Sequence, residues 1–335
     1  MKTQIVYVVV SSDEDMFLEE LWASVFSLRL FHPEATVKVL ADAPTVQRIH
    51  ARPALDRMIT EVVAVPVPAE MSAFARSRVI KTTIRNVIDG AYLYIDTDTI
   101  ITHSLEEIDT VGYDIAAVPD AHQPFRQDYY RASKIARLKD SFDLDISDAE
   151  YFFNGGVLYV ADNELTRRFY QRWYENWRWY LIDYVRRADQ PPLVKTDKEF
   201  GYVIRPLPDV FNCQLSLSVR FLYDAYIVHF IHMDFISDHS YSPFMSGAVY
   251  REIKAANAIT PHAEELIRHC KSSFETPSIV VGKSQIGLLF SASGQALSII
   301  RERNKALTSI LDWLSIRIIK YYRAKQKIKA KLSKK

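Results

Sequence analysis

The sequence predicts an α/β protein built on a doubly wound, mostly parallel sheet, with a helical C-terminal extension. Two observations support this fold class. The N-terminal part of the chain alternates β-branched apolar runs with segments of helical periodicity, an order typical of β-α-β units. From Ser284 onward, residues recur at helical spacing to the end of the chain. We therefore predict a nucleotide-binding domain over 1–275 and a helical extension over 276–335.

The individual elements follow from the same patterns. The first run, Ile5–Val10, is continuously apolar, as expected of a strand covered on both faces, and polar residues follow it. The other predicted strands are Thr36–Ala41, Glu61–Val67, Ala91–Ile95, Asp114–Val118, Gly156–Val160 and Tyr226–Phe230. One helix is predicted to begin at Phe17 and to end before "HPEA". Three more are predicted over Ala43–Arg57, Ser72–Ile88 and Glu164–Val185. The polar segment Asp120–Glu150 is predicted to be a lid or an acceptor loop.

Composition limits the class of protein. The chain has 335 residues, 48% of them hydrophobic, enough for one large globular domain with a smaller addition. Two cysteines, Cys213 and Cys270, give no disulfide framework and fit a reducing compartment. No apolar run approaches the roughly 18 residues of a membrane span. The apolar run in the opening "MKTQIVYVVVSSDEDMF" is too short for a secretory signal, so a cytoplasmic location is expected.

The stretch "YLYIDTDTII" places two carboxylates, Asp96 and Asp98, just past a predicted central strand. Alternate residues of an extended chain point the same way, so the two carboxylates can converge on one hard divalent cation. Open α/β sheets bind ligands at this edge. The alternative is a polar strand end in which Asp98 caps the following segment.

Three further stretches place polar residues beside predicted strands or helices. "YFFNGGVLYV" sets Asn154 and two glycines before a strand, where the backbone can approach a ligand closely. "RADQPPL" sets Asp189 and Gln190 before two prolines, and "YIVHFIHMD" sets His229 and His232 at a strand end. An imidazole there is either a core histidine or a third metal ligand.

Taken together, "YLYIDTDTII", "FFNGGVLYV", "ADQPPL", "VFNCQ" and "YIVHF" occur in an order that resembles glycosyltransferase family 8. The resemblance covers about Ile5 to His232. It implies a GT-A-type fold and transfer of a hexose from a UDP-sugar to a glycan or glycolipid, as in lipopolysaccharide synthesis. It also implies a Mn²⁺ (or Mg²⁺) cofactor and retention of anomeric configuration.

The resemblance further implies a role for each matching residue. Asp96, Asp98 and His229 correspond to the metal ligands. Three residues correspond to groups at the donor sugar and its reacting carbon: Asn154, Asp189 and Gln190. Six correspond to donor-binding positions along the uridine and the phosphates: Val9, Val10, Ser11, Arg78, Lys81 and Thr97.

Two departures from the family pattern leave other functions open. The family follows its "HF" with a glycine and "KPW", whose lysine supports the leaving diphosphate, whereas no lysine closely follows His229 here. Prolines at 191 and 192 also replace the usual continuation after the "DQ" pair. The alternatives are a catalytically degenerate nucleotide-sugar-binding protein and a nucleotidyltransferase. A nucleotidyltransferase is expected to have a glycine-rich, basic loop after the first strand, whereas this chain has the acidic "SSDEDMF" there.

The C-terminal stretch differs in charge from the rest of the chain. From Ser315 to the end there are nine Lys/Arg and no acid, so the overall charge of +1 conceals a net of −8 in the remainder. One helical face is apolar or aromatic: Leu311, Leu314, Ile318, Tyr321 and Tyr322. This pattern favours docking on an anionic membrane, at the inner face of the cytoplasmic membrane, over a solvated tail. Nucleic-acid binding is a third reading, but no nucleic-acid partner is expected.

Overall fold

The computed structural model describes residues 1–184, 188–231, 242–273, 287–288 and 291–332. The chain divides into two compact units, Met1–Pro277 and Ser278–Lys335. The roles assigned to the two predicted domains stay predictions.

The first unit is a mixed α/β structure whose elements follow one another along the chain. Its strands are β1 Gln4–Val9, β2 Val37–Ala41, β3 Glu61–Ala64, β4 Tyr92–Ile95, β5 Thr99–Ile101, β6 Ile115–Pro119, β7 Phe153–Val160, β8 Ile204–Pro206, β9 Cys213–Gln214 and β10 Ile227–His229. Its α-helices are α1 Phe17–Phe31, α2 Ala43–His50, α3 Pro53–Asp56, α4 Ala73–Thr82, α5 Arg131–Phe142, α6 Glu164–Tyr184, α7 Gln190–Glu199, α8 Ala248–Ala256 and α9 Pro261–Arg268.

Seven strands form the main sheet, in the order β3-β2-β1-β4-β7-β6-β8, and three form a small sheet, β5-β10-β9. In the main sheet only β7 runs antiparallel to its neighbours, β4 and β6. The α/β class with a mostly parallel sheet is therefore confirmed. Because β7 is reversed, its amino end lies at the same edge as the carboxyl ends of β1 and β4.

Both faces of the main sheet are buried, as the continuous apolar runs predicted. On β1, Ile5 and Tyr7 face one core with α1 and the small sheet. Val6 and Val8 face a second core with α4, α6 and α7. Alternation of side chains along a strand accounts for this division.

Local sequence explains where several elements differ from expectation. The single helix expected over Ala43–Arg57 is two, because Pro53 restricts Arg52 to φ −119° and begins α3. The segment expected to be a lid contains α5, Arg131–Phe142. The two prolines after Gln190 lie in the first turn of α7, where a missing N–H costs no helical hydrogen bond.

The second unit is helical in the part that the structure describes. Ser291, within the predicted break "SASG", caps a helix over Ala292–Arg303 by accepting the N–H of Gly294 at 3.0 Å. A 28-residue helix, Lys305–Leu332, follows and is called the terminal helix below. Among the described residues, none of the helices combines the length and the apolar character needed to cross a membrane.

Candidate functional site

Asp96, Asp98 and His229, called the acid triad below, meet where the two sheets adjoin. Asp96 follows β4 and Asp98 precedes β5, so the short link between the two sheets carries both carboxylates. His229 is the last residue of β10 and pairs with Thr99 of β5. One ligand atom from each of the three side chains lies within 4.8 Å of the other two.

The spacing and charges of the acid triad are those of side chains that could hold a cation. The His229 Nε2 lies 3.1 Å from Asp98 Oδ1 and 3.9 Å from Asp96 Oδ2. Burial lowers the pKa of His229, but the negative charges of Asp98 and Asp96 outweigh it and raise the pKa overall. Two carboxylates and one imidazole are a donor set that Mn²⁺ accepts, and Mg²⁺ less readily because it prefers oxygen. The triad is the one group of three such side chains found among the residues that the structure describes.

Gly156 on β7 makes room for the acid triad. A Cβ at this position would lie 2.2 Å from His229 Cε1 and 2.8 Å from Asp96 Oδ2. The Gly156 carbonyl also accepts the backbone N–H of Asp96 at 2.8 Å. At Gly155, in contrast, the atom nearest to an added Cβ is Leu193 Cδ2 at 3.6 Å. The second glycine of "NGG" is therefore the one that the site requires.

A second group, called the Asp189 clamp, consists of Asp189, Lys81 and Arg78. The carboxylate of Asp189 lies 2.9 Å from Lys81 Nζ and 3.1 Å from Arg78 Nε. Burial alone would raise the pKa of Asp189, but the two cations lower it well below its usual range. Lys81 also lies 3.3 Å from Asp96 Oδ1, which connects the clamp to the acid triad.

A cleft of about 350 Å³ opens beside both groups. It is lined by Val8, Val9, Val10, Phe17, Glu20, Ala73, Phe74, Ser77, Arg78, Tyr94, Asp96, Thr97 and Asp98. Burial, together with the negative charge of Asp98, holds the pKa of Glu20 well above its usual range. The cleft thus has an apolar wall at the end of β1 and a charged end at the link between β4 and β5.

Six of the residues predicted for the site line this cleft: Val9, Val10, Arg78, Asp96, Thr97 and Asp98. Ser11 is turned away, since its N–H donates to Thr45 Oγ1 and its hydroxyl donates to Asp15. Gln190 begins α7 and donates from Nε2 to the Phe153 carbonyl at 2.9 Å. The functional roles of all these residues stay predictions, and His232, the alternative ligand, lies outside the described residues.

The site also contains residues that the sequence did not single out. Phe17 and Phe74 line the cleft, each with more than two-fifths of its surface exposed. Asn212, from the "VFNCQ" motif, is fully buried between Asn154 and His229. The signal for Asn212 in the sequence was its place in the "VFNCQ" motif, to which no role was assigned.

Similarity to known proteins is found among solved structures and not among sequences. No family model matches the chain, and no curated protein matches it in sequence. Among solved structures, the galactosyltransferase LgtC in complex with donor and acceptor sugar analogues matches with 17% identity and a TM-score of 0.51, over 79% of this chain and 99% of that one. Mouse xyloside xylosyltransferase 1 matches with 12% identity and a TM-score of 0.44, over 68% and 97%. GlyE of Streptococcus pneumoniae TIGR4 matches with 16% identity and a TM-score of 0.46, over 84% and 67%.

At these identities the likeness to LgtC establishes the fold and nothing finer. The seven-stranded, mostly parallel sheet agrees with that likeness. The chain has the GT-A-type α/β fold that its resemblance to glycosyltransferase family 8 implied.

Proposed function

We propose that this protein is a glycosyltransferase that moves a hexose from a UDP-sugar to a glycan or glycolipid acceptor. The observation that carries the proposal is the meeting of Asp96, Asp98 and His229 at the charged end of a cleft. A GT-A fold with such a cleft suits a nucleotide whose base lies along β1 and whose diphosphate reaches the acid triad. The likeness to LgtC, a galactosyltransferase, supports this choice.

The acid triad would hold Mn²⁺ or Mg²⁺. When bound, such a cation would neutralise the negative charge of the diphosphate as it leaves the sugar. Arg78, which lines the cleft, adds a permanent positive charge at the same end. In this proposal Arg78 takes over part of the role of the lysine that the family carries after its "HF".

Asp189 and Gln190 would act at the donor sugar. The clamp keeps Asp189 ionised, so its carboxylate can accept hydrogen bonds from sugar hydroxyls. The bond between the anomeric carbon and the diphosphate oxygen breaks, and a bond to the acceptor oxygen forms on the same face. The acceptor proton passes to the departing phosphate oxygen, and the Gln190 amide stabilises the positive charge on the sugar.

The proposal is tested by calorimetric titration with UDP, with and without Mn²⁺, on the wild type and on Asp98→Ala. We expect tight binding that requires Mn²⁺ and is lost in the variant, followed by UDP release from one of a panel of UDP-sugars. UDP binding that does not depend on Mn²⁺, or no UDP binding at all, would mean that Asp96 and Asp98 form a polar strand end and do not hold a metal ion. Mn²⁺-dependent binding with no release from any UDP-sugar would identify the degenerate binding protein instead.

We also propose that the terminal helix docks on anionic membranes. The predicted apolar face has exposed side chains that include Leu314 at 44% and Ile318 at 56% exposure. Basic residues accompany them, and the Arg317 guanidinium lies 4.0 Å from the Trp313 ring centre. An apolar stripe within a basic helix binds headgroups and the acyl boundary together.

Vesicle sedimentation of the full chain tests this docking. Vesicles with one-third phosphatidylglycerol are expected to sediment the wild type, whereas pure phosphatidylcholine vesicles are not. Ile318→Asp is expected to abolish sedimentation. Equal recovery of both proteins in the supernatant of the anionic vesicles would rule the docking out.

A further inference from the structure

A chain of hydrogen bonds connects the backbone of β7 to the ring of His229. The Gly156 N–H donates to Asn154 Oδ1 at 2.9 Å. The Asn212 Nδ2 donates to the same oxygen at 3.1 Å. The Asn212 Oδ1 lies 2.9 Å from His229 Nδ1.

The direction of this chain follows from its first member. A backbone N–H can only donate, so the Asn154 atom that faces it must be the amide oxygen. The Asn212 atom next to that oxygen must then be the NH₂ group, which leaves its oxygen to face His229. Since an amide oxygen only accepts, the Nδ1 of His229 must carry a proton.

Burial makes this direction hard to reverse. Asn212 is fully buried and His229 is 3% exposed. Turning the Asn212 amide over would place its oxygen against the Asn154 oxygen, a buried mismatch that costs about 1–3 kcal/mol. Its NH₂ would then face Nδ1, which accepts a hydrogen bond only if the ring proton moves to Nε2.

The other ring nitrogen, Nε2, is the one that faces the carboxylates. It lies 3.1 Å from Asp98 Oδ1, with Asp96 Oδ2 at 3.9 Å. We propose that Asn212 is a positioning residue that keeps the Nδ1 proton of His229 in place and so directs Nε2 toward the cation. This inference rests on the proposed function, because it assumes that the acid triad holds a metal ion.

The role suits the usual construction of metal sites. A histidine ligand commonly donates its second ring N–H to a fixed acceptor, and loss of that acceptor typically weakens metal binding about 10–100-fold. Here the acceptor is a neutral amide held by β7. Gly156 contributes twice, since its N–H orients the chain and its missing side chain leaves space for the ring.

Two substitutions separate positioning from simple packing. Asn212→Asp keeps an oxygen that accepts from Nδ1–H but loses the donor to Asn154, whereas Asn212→Leu keeps the volume and removes both the acceptor and the donor. We expect Mn²⁺ affinity, measured by electron paramagnetic resonance of free Mn²⁺, to fall about 10–100-fold in Asn212→Leu and to stay within a few-fold of wild type in Asn212→Asp. If Asn212 served only to fill space, Asn212→Asp would be the less stable variant because it buries a charge. Mn²⁺ affinity would then fall in the same order as the melting temperature, with Asn212→Asp lowest.

Nitrogen-15 NMR of the imidazoles in the metal-free protein, at alkaline pH, gives a readout that needs no transferase activity. We expect Nδ1 of His229 to be protonated in the wild type and in Asn212→Asp, and this preference to be lost in Asn212→Leu. An unprotonated Nδ1 in the wild type, or equal Mn²⁺ affinity in the wild type and Asn212→Leu, overturns the positioning role alone. Failure of the wild type to bind Mn²⁺ overturns it together with the proposed function.

Discussion

The acid triad and the Asp189 clamp place the same kind of side chain in opposite electrostatic settings. Asp189 has two permanent cations within 3.1 Å, so its charge is neutralised by the protein itself. Asp98 faces an imidazole, which is neutral unless it takes up a proton. Asp98 and Asp189 thus differ in the charges around them and not in residue type, whereas Asp96 shares Lys81 with the clamp. In the proposed function Asp98 binds the cation and Asp189 accepts hydrogen bonds from the sugar.

The largest effect is expected from closing the space beside the acid triad. Gly156→Ala would drive a methyl group against His229 and Asp96, and neither the ring nor β7 can move without losing buried hydrogen bonds. We expect Mn²⁺ affinity to fall at least about 100-fold, as when a metal ligand is displaced. A Mn²⁺ titration followed by electron paramagnetic resonance measures this loss.

The neighbouring glycine supplies a matched control for this substitution. An alanine at 155 meets only ordinary contacts, the nearest at 3.6 Å and the Asp189 clamp at 3.9 Å. Gly155→Ala should therefore bind Mn²⁺ like the wild type. Equal losses in the two variants would mean that the whole turn, and not the approach of His229, limits metal binding.

Removing the negative charge of Asp189 should lower the free energy of unfolding more than it weakens metal binding. Asp189→Asn keeps the shape but leaves Lys81, which is 3% exposed, and Arg78 with less negative charge around them. Breaking one side of a buried ion pair costs about 3 kcal/mol, so the free energy of unfolding in urea should fall by about that amount. The exposed Asp143→Asn is the control and should leave the unfolding curve unchanged. A stable Asp189→Asn would show that the two cations are solvated and that the clamp is not a closed unit.

A third carboxylate, Asp197, extends the comparison to a site where burial is the largest influence. It lies on α7, eight positions after Asp189, and is 4% exposed. Burial raises its pKa to about 7, although it accepts the Ile204 N–H at 2.9 Å. The carboxyl group at the N-cap position of α7, Asp189, therefore has a lowered pKa, whereas that of Asp197 within the helix has a raised pKa.

Asp197 should make the protein less stable as pH rises. Its folded-state pKa lies above the unfolded value, so the folded state binds the proton more tightly and this stabilisation is lost as pH rises through about 7. Between pH 5.5 and 8 we expect the wild type to lose about 2 kcal/mol relative to Asp197→Asn. Urea denaturation across this range measures the difference, and parallel curves for the two proteins would contradict the raised pKa.

The acid triad was predictable from sequence because strand ends can be read from apolar runs. Asp96, Asp98 and His229 each adjoin such a run, and the edge rule for α/β sheets then brings the two aspartates to the binding edge. The family resemblance added the order of the motifs. Together they were enough to predict the GT-A fold and to select the residues that the structure brings together.

Other features depend on strand direction and register, which an apolar run does not reveal. The run at Phe153–Val160 reads the same in either direction, so the reversal of β7 was not predicted. Asn212 meets Asn154 because that reversal brings Asn154 beside the small sheet. Ser11 has a predicted place along the uridine, but its local bond to Asp15 could not be read from the sequence.

The smallest effect is expected from a charge-conserving change at the cleft. The Arg78 guanidinium lies 4.4 Å from the Phe74 ring centre and its Nε lies 3.1 Å from Asp189, so one planar group serves both the clamp and the cleft wall. Arg78→Lys keeps the charge but loses the stacking on Phe74 and the forked donor. We therefore expect UDP affinity to fall about 10-fold and Mn²⁺ affinity to stay unchanged.

Arg76→Lys, on the same helix, is the control for this substitution, because Arg76 pairs with Asp42, and it should bind UDP normally. Loss of Mn²⁺ affinity in Arg78→Lys would show that the clamp and the acid triad act as one electrostatic unit, whereas unchanged UDP affinity would place the diphosphate away from Arg78.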